Sequence, residues 1–224
     1  DVLTKRLREL AFLNRGIKIT LRDERLNQDK EREFQFEGGI ASFITYINKN
    51  KTPLHKDPIY FEAERDNVQV EVAIEYNEGF NENIFTYVNN INTKDGGTHL
   101  AGFKSALTRT LNDSLKKSKQ AKKLEETLSG DDVREGLTAV ISVKVPEPQF
   151  EGRTKGKLGN SEVKGIVESI VNENLSWYFS EHPHEITRIL EKTITAAKAR
   201  EAARKARDLT RRKSFLENSA LPGK

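Results

Sequence analysis

Residues 68–76 read VQVEVAIEY, and their period of two decides the class of the fold. Val68, Val70, Val72, Ile74 and Tyr76 face one way while Gln69, Glu71 and Glu75 face the other, the pattern of a strand with one buried and one wet face. On either side PIYFEAERD and NIFTYVNNI have strand composition, set off by turns at Asp66-Asn67 and Asn77-Glu78-Gly79, so three consecutive strands suggest a meander. A fourth strand is expected in LTAVISVKV, where Leu137, Ala139, Ile141, Val143 and Val145 alternate with Thr138, Ser142 and Lys144. Val140 makes its second face partly apolar.

Helical periods flank these strands and predict an α+β fold, a four-stranded sheet covered by helices on at least one side. Residues 2–14 bring Val2, Leu3, Leu7, Leu10 and Leu13 near one helical face, with Asn14-Arg15-Gly16 as a stop. IKITLRDE and REFQFE, joined by RLNQDK, read as a hairpin. Gly38-Gly39 then punctuates the chain, and a domain boundary is expected there, dividing 1–37 from 38–224. GIASFITYINKN follows as a short helix with Ile40, Phe43, Ile44 and Ile47 on one side.

Gly96-Gly97-Thr98 opens another helix, Thr98 its expected N-cap, with Leu100, Phe103, Leu107 and Leu111 on the buried face; its tail, LNDSLKKSKQAKKLEETLSG, reads as polar and mobile. Asp132-Val133-Arg134-Glu135 fits a capping box opening a one-turn helix. A helix from Asn160 or Ser161 carries Val163, Ile166, Val167, Ile170 and Val171, and Pro183 separates it from a last helix running over about 183–217.

Composition excludes several functions. The chain has 224 residues, enough for a real core, and no cysteine, so it holds no disulfide, thiol nucleophile or thiolate zinc site. The four histidines (His55, His99, His182, His184) show no familiar ligand spacing, and no metal site is expected. No apolar run approaches the roughly 20 residues that span a bilayer, and the N-terminus lacks the charged and apolar regions of a signal peptide, which reads as a soluble, intracellular protein. The start at Asp1-Val2 and the lack of any methionine suggest a piece of a longer chain. A net charge of +4, with both signs mixed, selects no partner by itself.

Two cationic features remain. The last helix has few large apolar residues in AAKAREAARKARDLTRRK, and Arg200, Arg204, Arg207 and Arg211 fall at i, i+4, i+7 and i+11, one face of an α-helix. Lys198, Lys205, Arg212 and Lys213 widen this stripe, while Glu201 and Asp208 oppose it. An alanine-rich solvated rod is one reading. Contact with a nucleic-acid phosphate backbone, without base stacking because no aromatic is interleaved, is the other. The second feature is EGRTKGKLGN, residues 151–160, with Arg153, Lys155 and Lys157 among glycines between a strand and a helix. It fails the GxxxxGK[ST] and GxGxxG phosphate patterns, leaving either a basic tip that reaches a phosphate or a polar loop.

A resemblance adds to this reading. LRELAFLNRG, YNEGFNENIFTYVNNINTKDGGTHLAGFKSALTRTLN, DDVREGLTAVISVKVPEPQFEGRTKGKLGNSEV, AREAARKARDLTRRKS and the closing LPGK look like the ATPase subunit of bacterial type IIA topoisomerases, most of all gyrase B. The resemblance covers essentially the whole chain. It implies that residues 1–37 are the last helix and hairpin of a GHKL ATPase domain and residues 38–224 a transducer domain, like domain 2 of ribosomal protein S5.

EGRTK would then be the family's QTK loop. Lys155 matches the lysine that contacts the γ-phosphate of ATP, Thr154 is kept, and Arg153 replaces the usual glutamine. Arg200, Arg204, Arg207 and Arg211 would face a cavity that passes duplex DNA. The family's Mg2+-binding and water-activating helix and its ATP lid would lie before residue 1, and its TOPRIM domain after Lys224. The implied partners are DNA, the gyrase A protein and a second copy of the gyrase B protein, in the bacterial cytoplasm. The chain alone is expected to be inactive. Asp95-Gly96-Gly97 has the wrong spacing for an ATP-site DxGxG. The remaining alternatives are the ATPase subunit of a topoisomerase IV and a stand-alone S5-like nucleic-acid-binding module.

Overall fold

The structure, a computed structural model, describes residues 2–25, 30–124 and 126–219. Helix α1 (Val2–Leu13) leads into an antiparallel hairpin of β1 (Ile19–Asp23) and β2 (Lys30–Phe34), paired from Ile19↔Phe34 to Asp23↔Lys30. Most of the RLNQDK link and all of the closing LPGK lie outside the described residues. The buried side of α1 matches the expected face only in part: Leu13 is buried, with Thr4, Ala11 and Phe12, and Leu7 and Leu10 are half-buried, whereas Val2 and Leu3 are 85% and 66% exposed. Aromatic stacking sets that orientation. The Phe12 ring centroid lies 3.7 Å from that of Phe36 and 4.8 Å from that of Phe43, and a helix can point only one side at those rings.

Phe43 belongs to α2 (Gly39–Ile47), whose Ile40 and Ile44 are also buried. The chain then forms β3 (Ile59–Arg65), β4 (Val68–Tyr76), β5 (Asn83–Val88) and β6 (Ile91–Asn92), followed by α3 (Thr98–Lys117). Asp66-Asn67 and Asn89-Asn90, all at positive φ, make the tight turns between β3 and β4 and between β5 and β6. The second turn divides what reads as one strand, NIFTYVNNI, into a hairpin.

A 3₁₀ turn (Lys119–Lys123) and α4 (Gly130–Arg134) lead to β7 (Leu137–Lys144). The sheet therefore has five strands rather than four, in the order β3-β4-β7-β5-β6. It is not a meander, because β7 lies between β4 and β5, antiparallel to the first and parallel to the second. Burial favours that place: every residue from Leu137 to Val143 is buried, so β7 suits a central position covered on both faces. The apolar Val140 on its second face is the trace of this in the sequence.

The last elements are β8 (Phe150–Glu151), β9 (Lys157–Leu158), α5 (Ser161–Glu181) and α6 (Pro183–Ser219). Helices α3, α5 and α6 cover one sheet face, where Phe103, Leu107, Leu111, Val167, Ile170, Val171 and Leu190 meet Val70, Val72, Ile74, Ala139 and Ile141. Helices α1 and α2 cover part of the other, against Ala73, Tyr87 and Val140. Each fully buried Leu, Ile, Val or Phe contributes roughly 1.5–3 kcal/mol before entropy is charged against it.

Local capping differs from expectation in three places. Gly97, not Thr98, occupies the N-cap of α3, and Thr98 Oγ1 is buried with no hydrogen-bond partner among the described residues. Ser129 caps α4, with Asp132 as the third residue of a reciprocal capping box, so the carboxylate lies at the opposite end of the box from its expected place. The polar tail after α3 is packed: Leu128 and Gln120 are buried, and Asn112 bonds the Leu128 backbone through both its amide nitrogen and its oxygen.

Candidate functional site: a cationic hairpin and an arginine helix

EGRTKGKLGN is a β-hairpin rather than an open loop. Phe150 pairs with Leu158 and Glu151 with Lys157, leaving residues 152–156 as the tip. Gly152 (φ 75°) and Lys155 (φ 54°) both take the left-handed conformation that turns the chain back. For lysine this conformation costs on the order of 1–2 kcal/mol. Arg153, Thr154 and Lys155 are all exposed at the tip. Lys157 is tied to Glu151 at 3.0 Å, while the Lys155 ammonium lies 5.9 Å from the Phe150 ring centroid, within reach of a weak cation–π attraction. The structure thus separates the three cations of the stretch: Lys157 is neutralised within the hairpin, and Arg153 and Lys155 are presented with Thr154 at its end.

The base of the hairpin is anchored twice. The buried Asn160 accepts the Gln149 N–H through Oδ1 at 2.6 Å and donates through Nδ2 to Glu147 O at 3.3 Å and to Glu162 Oε1 at 2.8 Å. On the other side the Asp95 N–H donates to Gly156 O at 2.9 Å, and the Leu158 N–H to Gly96 O at 3.1 Å. Sequence reasoning named Asn160 only as a possible helix start, and took Gly96-Gly97 as a helix opening and Asp95-Gly96-Gly97 as a rejected ATP motif, not as a contact of the hairpin. The signal was the diglycine ahead of α3, whose need for close backbone approach shows only when Leu158 lies beside it.

Beneath this anchor, His99 in the first turn of α3 is wholly buried, with Nε2 at 3.0 Å from Thr93 Oγ1. Thr93 Oγ1 also lies 2.8 Å from Thr86 Oγ1, which links α3 to β5. Burial pushes the imidazole pKa down to about 4, so it is neutral at pH 7.

The four arginines of α6 do not form one uniform stripe. Helix α6 is 37 residues long, and from residue 198 to 214 none of its residues is buried. Arg200 donates from Nε to Asp132 Oδ1 at 2.9 Å and from Nη2 to Asp132 Oδ2 at 3.1 Å. Burial alone would raise the Asp132 pKa, but Arg200 and the hydrogen bonds from Ser129 outweigh it and hold the carboxyl below its usual value. Arg204 Nη2 donates to Glu126 Oε1 at 2.7 Å. Arg207 and Arg211 are exposed, and among the described residues no partner holds them. Glu201, expected to oppose the stripe, pairs with Lys205 at 2.7 Å. The hairpin and the arginines have separate supports: α3 and α5 carry the first, α4 and the segment before it brace the second.

The tip residues fit an anion, since Arg153, Thr154 and Lys155 are all donors and residues 152–156 include no carboxylate. They do not fit a metal ion, and among the described residues no group of three His, Asp or Glu is placed to hold one.

The model of the DNA gyrase B family matches residues 39–209, and the DNA gyrase B protein of Treponema denticola is 58% identical over the whole chain. This chain belongs to the DNA gyrase B family. The gyrase B protein of Clostridium acetobutylicum is likewise 58% identical over the full chain, which spans about a third of each relative's length, 36% and 35%. Among solved structures, the 43K ATPase domain of Thermus thermophilus gyrase B, in complex with an aminocoumarin, has 42% sequence identity and a TM-score of 0.82, covering 93% of this chain and 56% of that one. The mixed sheet with its helices is thus the architecture of a gyrase B ATPase region.

Proposed function

We propose that this chain is the coupling region of the ATPase subunit of a type IIA DNA topoisomerase, a gyrase B. In this reading residues 1–37 end a GHKL ATPase domain, and residues 38–224 are a transducer with the fold of ribosomal S5 domain 2. The observation that carries it is the hairpin tip, where Arg153, Thr154 and Lys155 stand exposed on a doubly anchored base. Such a tip supplies positive charge to a phosphate that another part of the longer protein holds.

ATP, when bound, supplies a terminal phosphoryl group for transfer to water. Toward it Lys155 places a point charge, Thr154 a hydroxyl donor, and Arg153 a guanidinium in place of the family's glutamine amide. These groups would stabilise negative charge on the terminal phosphate and lose their contact when it leaves, freeing the transducer to shift. Mg2+ and the attacking water belong to residues before Asp1, and this chain alone has no complete ATPase or DNA-cleavage site. Helix α6 meets duplex DNA through its phosphates, the gyrase A protein docks beyond Lys224, and a second gyrase B protein completes a dimer in the bacterial cytoplasm. No helix among the described residues is long and apolar enough to cross a membrane.

The test is Lys155→Ala in the full-length protein paired with gyrase A. ATP-dependent supercoiling should fall by at least tenfold while the fold, followed by circular dichroism, is unchanged. Undiminished supercoiling would remove Lys155 from the mechanism.

A further inference from the structure

The proposed nucleotide contact accounts for the hairpin tip but leaves open what sets the tip's position, and the backbone contacts under it answer that. The Asp95-Gly96-Gly97 segment runs alongside the second strand of the hairpin. Gly97 and Leu158 form a parallel bridge, and two hydrogen bonds accompany it, from Asp95 N–H to Gly156 O at 2.9 Å and from Leu158 N–H to Gly96 O at 3.1 Å. The approach is close enough to exclude any side chain. A Cβ on Gly97 would lie 2.5 Å from Leu158 N, 2.5 Å from Leu158 O and 2.9 Å from its Cα, all unyielding backbone. Gly97 also sits at φ 137°, which side-chain-bearing residues rarely adopt.

The facing residue is constrained as well, since a Cβ on Gly156 would lie 2.4 Å from Asp95 Oδ2. Lys155 is one residue from this contact, and Leu158, 1% exposed, is fixed in the core. Gly97 is also the N-cap of α3, so the hairpin is seated directly on the end of a 20-residue helix.

We propose that Asp95-Gly96-Gly97 is a clamp that positions Lys155: Gly97 admits the Leu158 backbone, Gly96 O accepts the Leu158 N–H, and the Asp95 N–H fixes Gly156, which together set where the ammonium meets the terminal phosphate. Gly97 and Asp95 are positioning residues and touch no ligand themselves. The clamp rests on the proposed nucleotide contact of Lys155, and the experiment separates the two.

Gly97→Ala is made first in the 224-residue chain and followed by amide hydrogen exchange. The Asp95 and Leu158 amides should exchange at least tenfold faster, while Val70 and Val72 in the central sheet keep their wild-type rates. In the full-length protein the same variant should bind a non-hydrolysable ATP analogue about tenfold more weakly and bind ADP as the wild type does, because Lys155 addresses only the phosphate that ADP lacks. A purely structural defect would weaken both nucleotides alike and would overturn the proposal, as would unchanged preference for the ATP analogue.

Lys155→Ala serves as the reference. If it leaves the preference for the ATP analogue intact, the nucleotide reading fails; if it removes the preference and Gly97→Ala does not, only the clamp fails. Should Gly97→Ala not fold, Gly156→Ala replaces it. Its smaller loss of preference should be reversed by adding Asp95→Ala, which removes the carboxylate that the new methyl meets. Failure of this rescue overturns the clamp.

Discussion

Removing the Asp132 carboxylate tests whether α6 is held by charge. The side chain is 2% exposed and accepts from Arg200 at 2.9 and 3.1 Å and from the Ser129 N–H at 2.8 Å. In Asp132→Ala both donors lose their acceptor. A charge-assisted hydrogen bond contributes about 1.5–3 kcal/mol. Because the Arg200 side chain is 32% exposed and water can replace part of the pair, the lower end, about 1.5 kcal/mol, applies. The stranded Ser129 N–H adds about 1 kcal/mol, for a total of ~2.5 kcal/mol.

For a domain of this size that is a fall in Tm of about 5–10 °C, read by circular dichroism at 222 nm. The decisive measurement is the cycle with Arg200→Ala. If the two side chains hold each other, the double variant should be more stable than the summed single costs imply, by about 1 kcal/mol or more. Costs that add within about 0.5 kcal/mol would refute the reasoning. Arg207→Ala, on the exposed part of the helix, is the control and should stay within about 0.5 kcal/mol of wild type.

The remaining predictions concern charge in solution. His99 is buried as the neutral imidazole with its pKa lowered to about 4 from the ordinary 6.5, so the unfolded chain binds a proton that the folded chain refuses. Stability should therefore be full above pH 6.5 and decline as pH falls toward 4, by about 2 kcal/mol at pH 5. His99→Gln should flatten this slope in urea titrations, and a wild-type midpoint that does not move between pH 7 and 5 would contradict it. In the proposed DNA contact, Arg207→Ala combined with Arg211→Ala should flatten the slope of log K against log salt by up to about 1.8, whereas Arg200→Ala, already neutralised by Asp132, should change it little. Equal effects in anisotropy titrations of duplex DNA would contradict that partition.

The apolar stripes of α5 and α2 were legible because helical period and burial coincide: Val163, Ile166, Val167, Ile170 and Val171, and Ile40, Phe43 and Ile44, are all buried as their spacing predicts. The leucines of α1 show the limit of that inference. The spacing of Val2 and Leu3 also predicts a buried face, but only the positions of Phe36 and Phe43 select which side of the helix is covered. Strand order was out of reach for a related reason. Alternation in β4 specifies which side chains face inward, whereas the placing of β7 between β4 and β5 is a non-local pairing across residues 89–136, and the partly apolar second face of β7 was its one local sign.

The two cationic features divide in the same way. Local sequence was enough to identify a basic turn between strand and helix and a helix with arginines along one face, because turn chemistry and helical spacing act over a few residues. The tertiary structure alone assigned each charge its partner: Lys157 to Glu151, Arg200 to Asp132, Arg204 to Glu126, with Arg153, Lys155, Arg207 and Arg211 left facing outward. Ion pairing depends on distances of a few ångströms. Residues as far apart in the chain as Asp132 and Arg200 come that close only once α4 and α6 have packed.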